Sequence, residues 1–194
     1  MTMDARITRT RTAVMEAATE LLLEGGPAAI TMDGVVARSS VAKSTLYRHW
    51  PTRDALVADV FTHIAPELPE PDPDLSFEDA LRVLAHAFVD IVADPYWARL
   101  VPAMMLLKNE MAAVAELDAD LKQHQSDVLA PVLACGADEG WLPEGFDSDI
   151  EATLLMGPIL MAALTGSTPL DHDFADRCVD HFLAGIRATA PASA

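Results

Sequence analysis

Lys43, Ser44, Thr45, Tyr47, Arg48, His49 and Arg53 crowd donors and cations into a short segment, about three turns of helix and its exit. Ammonium, hydroxyl, phenol, guanidinium and imidazole are the groups that duplex phosphates and base edges accept. The chemistry on offer is therefore recognition, with DNA as the first partner to consider. Val41, Leu46 and Trp50 interrupt the polar residues at near-helical spacing, which gives the element one face for a core and one for DNA.

Such a helix needs others to hold it. Over about residues 8–24, Val14, Ala17, Ala18, Leu21 and Leu22 recur at i, i+3, i+4, i+7 and i+8, and Gly25-Gly26 stops the pattern. Thr31 can N-cap a second helix over about 32–38. The third runs over about 43–50, where Pro51 breaks it. These two helices read as the arms of a helix-turn-helix, whose second helix enters the major groove by its N-terminal part. That geometry makes Lys43 and Ser44 the base readers. Thr52 then caps a fourth helix with Leu56, Val57, Val60, Phe61 and Ile64 in one apolar stripe.

An ordered set of residues carries a family resemblance: Ala17-Ala18-Leu21, Gly25-Gly26, Ile30-Thr31, Val35-Val36, Thr45-Leu46-Tyr47-Arg48-His49-Trp50 and Arg53. Over residues 10–64 the chain resembles the TetR family of one-component bacterial transcriptional regulators. The resemblance implies that Thr31, Thr45, Tyr47, His49 and Arg53 contact phosphates; Arg48 could serve phosphate or base. Arg6, Arg9 and Arg11 could form a basic arm reaching a neighbouring groove, or an ordinary solvated charge cluster on the first helix. Three positions stand out. Ser40 occupies a turn position where the family commonly has Gly, so it must tolerate that conformation at some strain. Ala42 stands where a capping Ser or Glu is common; losing a cap costs about 1 kcal/mol unless Ser39 or Ser40 substitutes. Asp33 favours the dipole at the start of the second helix but would repel phosphate.

The 194 residues carry a formal charge of −17, at first sight hostile to DNA. The charge is uneven: residues 1–64 hold seven basic and seven acidic side chains, so the whole excess lies behind them. An acidic body behind a locally basic head penalises non-specific adhesion and predicts steep salt dependence. The expected division is a helix-turn-helix domain over 1–51 and a helical regulatory and dimerisation domain over 52–194. Residues 66–74, rich in Pro and acid, read as an extended linker. Beyond it the pattern is helical: a fifth helix capped by Ser76 and closed by Asp94-Pro95, a sixth over about 96–110, and a seventh over about 114–139 with a kink at Pro131. An eighth runs from Asp147 through Leu164 with Gly157-Pro158 in its middle, and a ninth starts at Asp173. No strand pattern competes, so the fold class is all-α, with about nine helices.

No secretory signal is visible, and the Ala152–Leu164 apolar run is shorter than the roughly 20 residues of a bilayer span; it reads as a buried helix in a cytoplasmic protein with no membrane partner. Cys135 and Cys178 lie apart without C-x-x-C or Cys/His clustering, so neither a metal nor a disulfide framework is suggested and no cofactor is implied. They read as ordinary buried thiols, with a redox sensor as the alternative.

Residues 65–194 resemble the family's regulatory domains through Gly157-Pro158-Ile159-Leu160 and Leu164-Thr165-Gly166-Ser167-Thr168-Pro169-Leu170. That resemblance implies a homodimer through the last two helices, a palindromic operator, and a pocket for a small effector of unidentified structure whose binding releases DNA. Repression is the commoner family behaviour. Phe88, Trp97, Met104, Met105, Trp141 and Met156 are candidate apolar lining, since methionine adapts to hydrophobic ligands, with Asn109 and His86 as polar anchors; Tyr96, Met111 and Met161 could join them. The competing reading of the same stripe is plain core. Arg99 and Lys108 could hold an anion, although the acidic domain favours a cation. Two other function classes remain: a regulator whose second domain senses a protein partner, and an enzyme. Against the enzyme, the Glu110 and Glu116 carboxylates come with no nucleophile elbow, phosphate-binding loop or metal-ligand spacing.

Overall fold

The computed structural model describes residues 2–143 and 145–189, without the side chains of residues 2–7, 96, 99, 113, 188 and 189. Among the described residues there are nine α-helices and no strand: α1 (Thr2–Gly25), α2 (Met32–Ser39), α3 (Lys43–His49), α4 (Arg53–Ile64), α5 (Phe77–Ala93), α6 (Pro95–Leu107), α7 (Ala112–Asp138), α8 (Ser148–Thr165) and α9 (His172–Thr189), with a short 3-10 turn at Pro27–Ala29. The all-α class is as expected. Contacts divide the chain into two compact units, one of residues 1–65 with 99–120 and the other of 66–98 with 121–194. Helices α6 and α7 each contribute to both units.

The first unit assembles as the apolar periodicity dictates. α1 packs against α2 and α4, and α2 against α3, around Val14, Met15, Ala18, Leu22, Ile30, Val35, Leu46 and Phe61, all fully buried or nearly so. The caps sit where their residue types put them. Thr31 Oγ1 accepts from Gly34 N at 3.0 Å and Thr52 Oγ1 from Ala55 N at 3.1 Å, each satisfying one orphan amide of a helix start. Ion pairs tie the helices together. Arg38 grips Glu24 with two bonds of 2.9 Å, Arg11 meets Asp59 at 2.7 Å, and Lys43 meets Asp33 at 2.7 Å.

The second unit has its own core of Phe77, Leu81, Leu84, Val89, Leu129, Leu133, Leu155, Ile159, Ala175 and Val179. Here α5 packs against α8 and α9, and α8 against α9. Ser76 caps α5 by accepting from Asp79 N at 3.1 Å, and Asp147 caps α8 through Asp149 N and Ile150 N. At the start of α5, Glu139 accepts from Phe77 N at 3.0 Å, and its carboxyl is held below the usual range mainly by that bond. Arg82 on α5 reaches Asp176 at 3.1 Å and Asp180 at 2.6 Å on α9. His86 also meets Asp176, at 2.8 Å, and stacks on His172 with ring centroids 4.2 Å apart; it is thus engaged between α5 and α9.

Two expectations need correction. The Ala152–Leu164 run lies in α8 but is not buried all round. Leu155 and Ile159 face the core while Ile150, Leu154, Met161 and Leu164 are 56, 58, 59 and 36 % exposed. By length and composition α8 passes for a membrane-crossing helix, yet its inner face is part of a packed protein core. The two cysteines are half-buried, not buried. Each is held as the protonated thiol, Cys135 chiefly by its bond to Glu139 and Cys178 by desolvation, so both pKa values rise. That disfavours the thiolate a redox sensor needs.

Candidate nucleic-acid interface

Leu46 and Trp50 fix α3 by its inner face, one fully buried and the other nearly so. The indole of Trp50 donates to Asp59 Oδ2 at 2.8 Å while Arg11 holds Oδ1 of the same carboxylate. Asp59 therefore joins α1, the end of α3 and α4 through one side chain. With the apolar side locked, Lys43, Ser44, Tyr47, Arg48 and His49 are all exposed and Thr45 is half-buried. The structure thus brings six of the sequence-selected residues onto one short helix, in the pattern expected of a groove-reading element. Thr31 is exposed at the start of α2, although its hydroxyl already serves as the cap.

The turn between α2 and α3 carries the expected irregularity. Ser40 is left-handed, at φ 56° and ψ 18°, the only non-glycine residue with positive φ among those described. Ala42 provides no side-chain cap, and the first amides of α3 rely on its carbonyl oxygen, which accepts from Thr45 N and Leu46 N. Ser39 does not substitute. Its hydroxyl accepts from Val41 N at 3.2 Å, a bond within the turn.

Lys43 and Arg53 are placed differently from a simple row of cations. Asp33 and Lys43 form a solvent-facing pair, with side chains 80 and 58 % exposed, and the Lys43 ammonium pKa is raised chiefly by its bond to Asp33. Lys43 also lies 5.9 Å from the Tyr47 ring centroid. Arg53 donates from Nε to Ile30 O at 2.7 Å and from a terminal nitrogen to Pro27 O. It thereby stitches the start of α4 to the 3-10 turn and Ile30 before α2. Arg11 and Arg38 are committed to carboxylates; the Arg6 side chain lies outside the described residues. The residue that sequence reasoning missed here is Asp59. Its signal, a single acid on an otherwise apolar stripe of α4, is visible only once Trp50 and Arg11 are known to converge on it.

The ligand candidates are divided between the two units. Phe88 and Met156 line a cavity of about 440 Å³ inside the second unit, formed by α5, α7 and α8, with Leu84, Leu129, Leu133 and Leu160 as apolar wall and Gln125, Ser126 and Thr153 among its polar groups. Those polar residues were missed because they come from two helices far apart in sequence. Trp141 lies elsewhere, its indole donating to Glu139 at 3.2 Å and covered by the Arg187 guanidinium at 4.1 Å. Trp97 belongs to the second unit and Met104, Met105 and Asn109 to the first, and the Asn109 amide bonds back to Met105 O at 3.4 Å. Lys108 pairs with Asp118 at 3.3 Å; the Tyr96 and Arg99 side chains are outside the described residues.

Comparison with known proteins now decides the kinship. Residues 14–60 match the model of the bacterial regulatory proteins of the tetR family, and residues 71–182 match the tetracyclin repressor-like C-terminal domain. The chain belongs to the TetR family. Its members are DNA-binding transcription regulators, not an enzyme class. Among similar proteins is the uncharacterized HTH-type transcriptional regulator YdeS of Bacillus subtilis, 27 % identical over 93 % of this chain and 91 % of that one. The HTH-type transcriptional repressor Rv3405c of Mycobacterium tuberculosis is 39 % identical over 40 % of this chain and 46 % of its own. A TetR transcriptional regulator from Agrobacterium tumefaciens shares the fold, with a TM-score of 0.73 at 23 % identity over 93 % of this chain and 98 % of that one.

Proposed function

We propose that this TetR-family protein is a one-component repressor that binds a palindromic operator as a homodimer and is released by a small hydrophobic ligand. The observation that carries the reading is α3 itself: Leu46 and Trp50 anchor it while Lys43, Ser44, Tyr47, Arg48 and His49 stand in solvent. Lys43 and Ser44 read bases; Thr31, Thr45, Tyr47, Arg48 and His49 hold phosphates. Arg53 orients the head by its backbone bonds and adds positive charge near the same surface. The repressor named in the mycobacterial relative supports the sign of regulation.

Ligand release is supported by the α5–α7–α8 cavity, whose volume lies within the range of small-molecule sites. Its wall is largely apolar with hydrogen-bonding groups at α7 and α8, suited to an apolar body with a few polar substituents. A ligand that binds the operator-incompetent dimer more tightly lowers operator affinity by the same factor that DNA lowers its own affinity. The candidate lever is α4, which follows the reading helix and packs on α1, together with α6 and α7, which belong to both units. Dimerisation is supported by the exposed α8 stripe of Ile150, Leu154, Met161 and Leu164, a face that a second copy would cover.

The test is fluorescence anisotropy on the protein's own upstream DNA against scrambled DNA, over a salt series, with Tyr47→Ala beside the wild type. Specific, salt-sensitive binding that weakens roughly tenfold in the variant is expected. Absence of DNA binding at low salt would overturn the reading. A thermal-shift panel of hydrophobic compounds tests the ligand half, since a saturable cavity raises the melting temperature and a purely protein-sensing domain does not respond.

A further inference from the structure

Lys43 stands at the start of the reading helix with its ammonium 2.7 Å from Asp33 Oδ1. Both residues are solvent-facing, so burial does not explain the pair. As an exposed ion pair it contributes little to stability, and the carboxylate costs affinity for any phosphate nearby. At the start of α2 the acid favours the helix dipole, and on a DNA-facing surface its cost is offset further where it meets a donor. An ammonium has three donors and a carboxylate about four acceptor sites, so the bond between them leaves donors on one group and acceptors on the other, side by side.

In the major groove, a guanine·cytosine pair presents guanine O6 and N7 as acceptors and cytosine N4 as a donor. Lysine pairs with the first and aspartate with the second. We propose that Asp33 and Lys43 act together as a specificity reader for a G·C pair in each operator half-site, Lys43 donating to guanine and Asp33 accepting from cytosine N4. The inference rests on the reading of α3 as the DNA-facing helix and adds a base reader from α2. In the free protein the two groups satisfy one another across α2 and α3. On a matching pair each group uses its spare donors or acceptors while the bond between the two is kept. An adenine·thymine pair also offers two acceptors and one amino donor, but with the donor between the acceptors instead of beside the pair of them, so the two side chains cannot meet their partners in the same arrangement. Over phosphate alone, or where no donor comes within reach, the carboxylate remains as a repulsive group. Specificity by repulsion and specificity by attraction are thus built from the same side chain.

The experiment is selection of bound sequences from a randomised duplex library by the full-length wild type, Asp33→Ala, Asp33→Asn and Lys43→Ala, followed by affinity titration on the selected site and its single-pair variants. Thermal melts of each variant check that the head stays folded, which is expected because both side chains are exposed. The wild type should fix G·C at one position of each half-site. Asp33→Ala should lose discrimination there by roughly ten- to hundredfold, leaving the other positions unchanged. Asp33→Asn should shift the preference at that position toward adenine, because an amide pairs with the adenine edge, and Lys43→Ala should relax the same position. Uniform tightening of Asp33→Ala on every sequence would show Asp33 to be only a repulsive charge and would overturn the proposal. Operators without a fixed G·C pair would overturn it as well, while leaving the regulator reading intact. A wild type that selects nothing from the library would remove both.

Discussion

Ser40 shows how much one residue in a turn can be asked to carry. Its left-handed backbone places a β-carbon where L-residues meet steric cost of about 1 kcal/mol, and only glycine takes that conformation freely. Ser40→Gly is expected to stabilise the protein by about 0.5 to 1 kcal/mol in urea denaturation, the gain being trimmed by the larger backbone entropy glycine brings to the unfolded chain. A destabilised variant would mean that the serine relieves its own strain in the turn. The need for an unusual backbone here is legible through the resemblance to the TetR family, which commonly has Gly at this turn position. The role of Arg53 is not: its type suggests phosphate, whereas its guanidinium reaches Ile30 and Pro27 carbonyl oxygens, partners set by how α4 packs.

At the scale of elements, caps and breakers mark the helix boundaries well. Thr31, Thr52, Ser76 and Asp147 each cap the helix they precede, because the competition between a short polar side chain and the backbone for the first amides is local. What happens between helices is less visible. Gly136 reads as an unremarkable residue in α7, yet a β-carbon there would come within 2.7 Å of the fully buried Phe77 ring. Its absence lets α7 approach the start of α5, and Glu139 one turn on receives the Phe77 amide. Gly136→Ala should therefore cost about 1 to 3 kcal/mol by overpacking, against the slight gain of alanine in an open helix; urea denaturation decides, and an unchanged or raised midpoint would show that Phe77 can yield. The ligand-cavity candidates obey the same rule. Phe88 and Met156 line one cavity, but Trp141 is drawn to Glu139 and Arg187, since an indole N–H and ring each seek a partner that periodicity does not reveal.

For the whole molecule, the outer face of α8 is the feature with the largest consequence. Ile150, Leu154, Met161 and Leu164 recur along one stripe and remain in solvent in the single chain. If a second copy covers it, Leu154→Glu buries an unpaired charge at the interface and should weaken the dimer by about 2 kcal/mol or more. Sedimentation should then show a monomer with an unchanged circular dichroism spectrum and poorer operator binding. A variant that stays dimeric would place the interface elsewhere.

The sequence by itself determined the all-α class and the order of the helices, with most of their limits within a few residues, and it singled out the polar segment that forms α3. Each of these rests on local physics: apolar period, capping, proline geometry and the donor chemistry of a short segment. Tertiary structure decided which charges are spent on other charges. Asp33 on Lys43, Asp59 on Arg11 and Trp50, and Asp176 on His86 and Arg82 are pairings between helices. Tertiary structure also decided that α8 buries only one side. Such pairings depend on the direction in which side chains leave different helices, and a linear pattern holds the period of each helix but not its rotation against its neighbours.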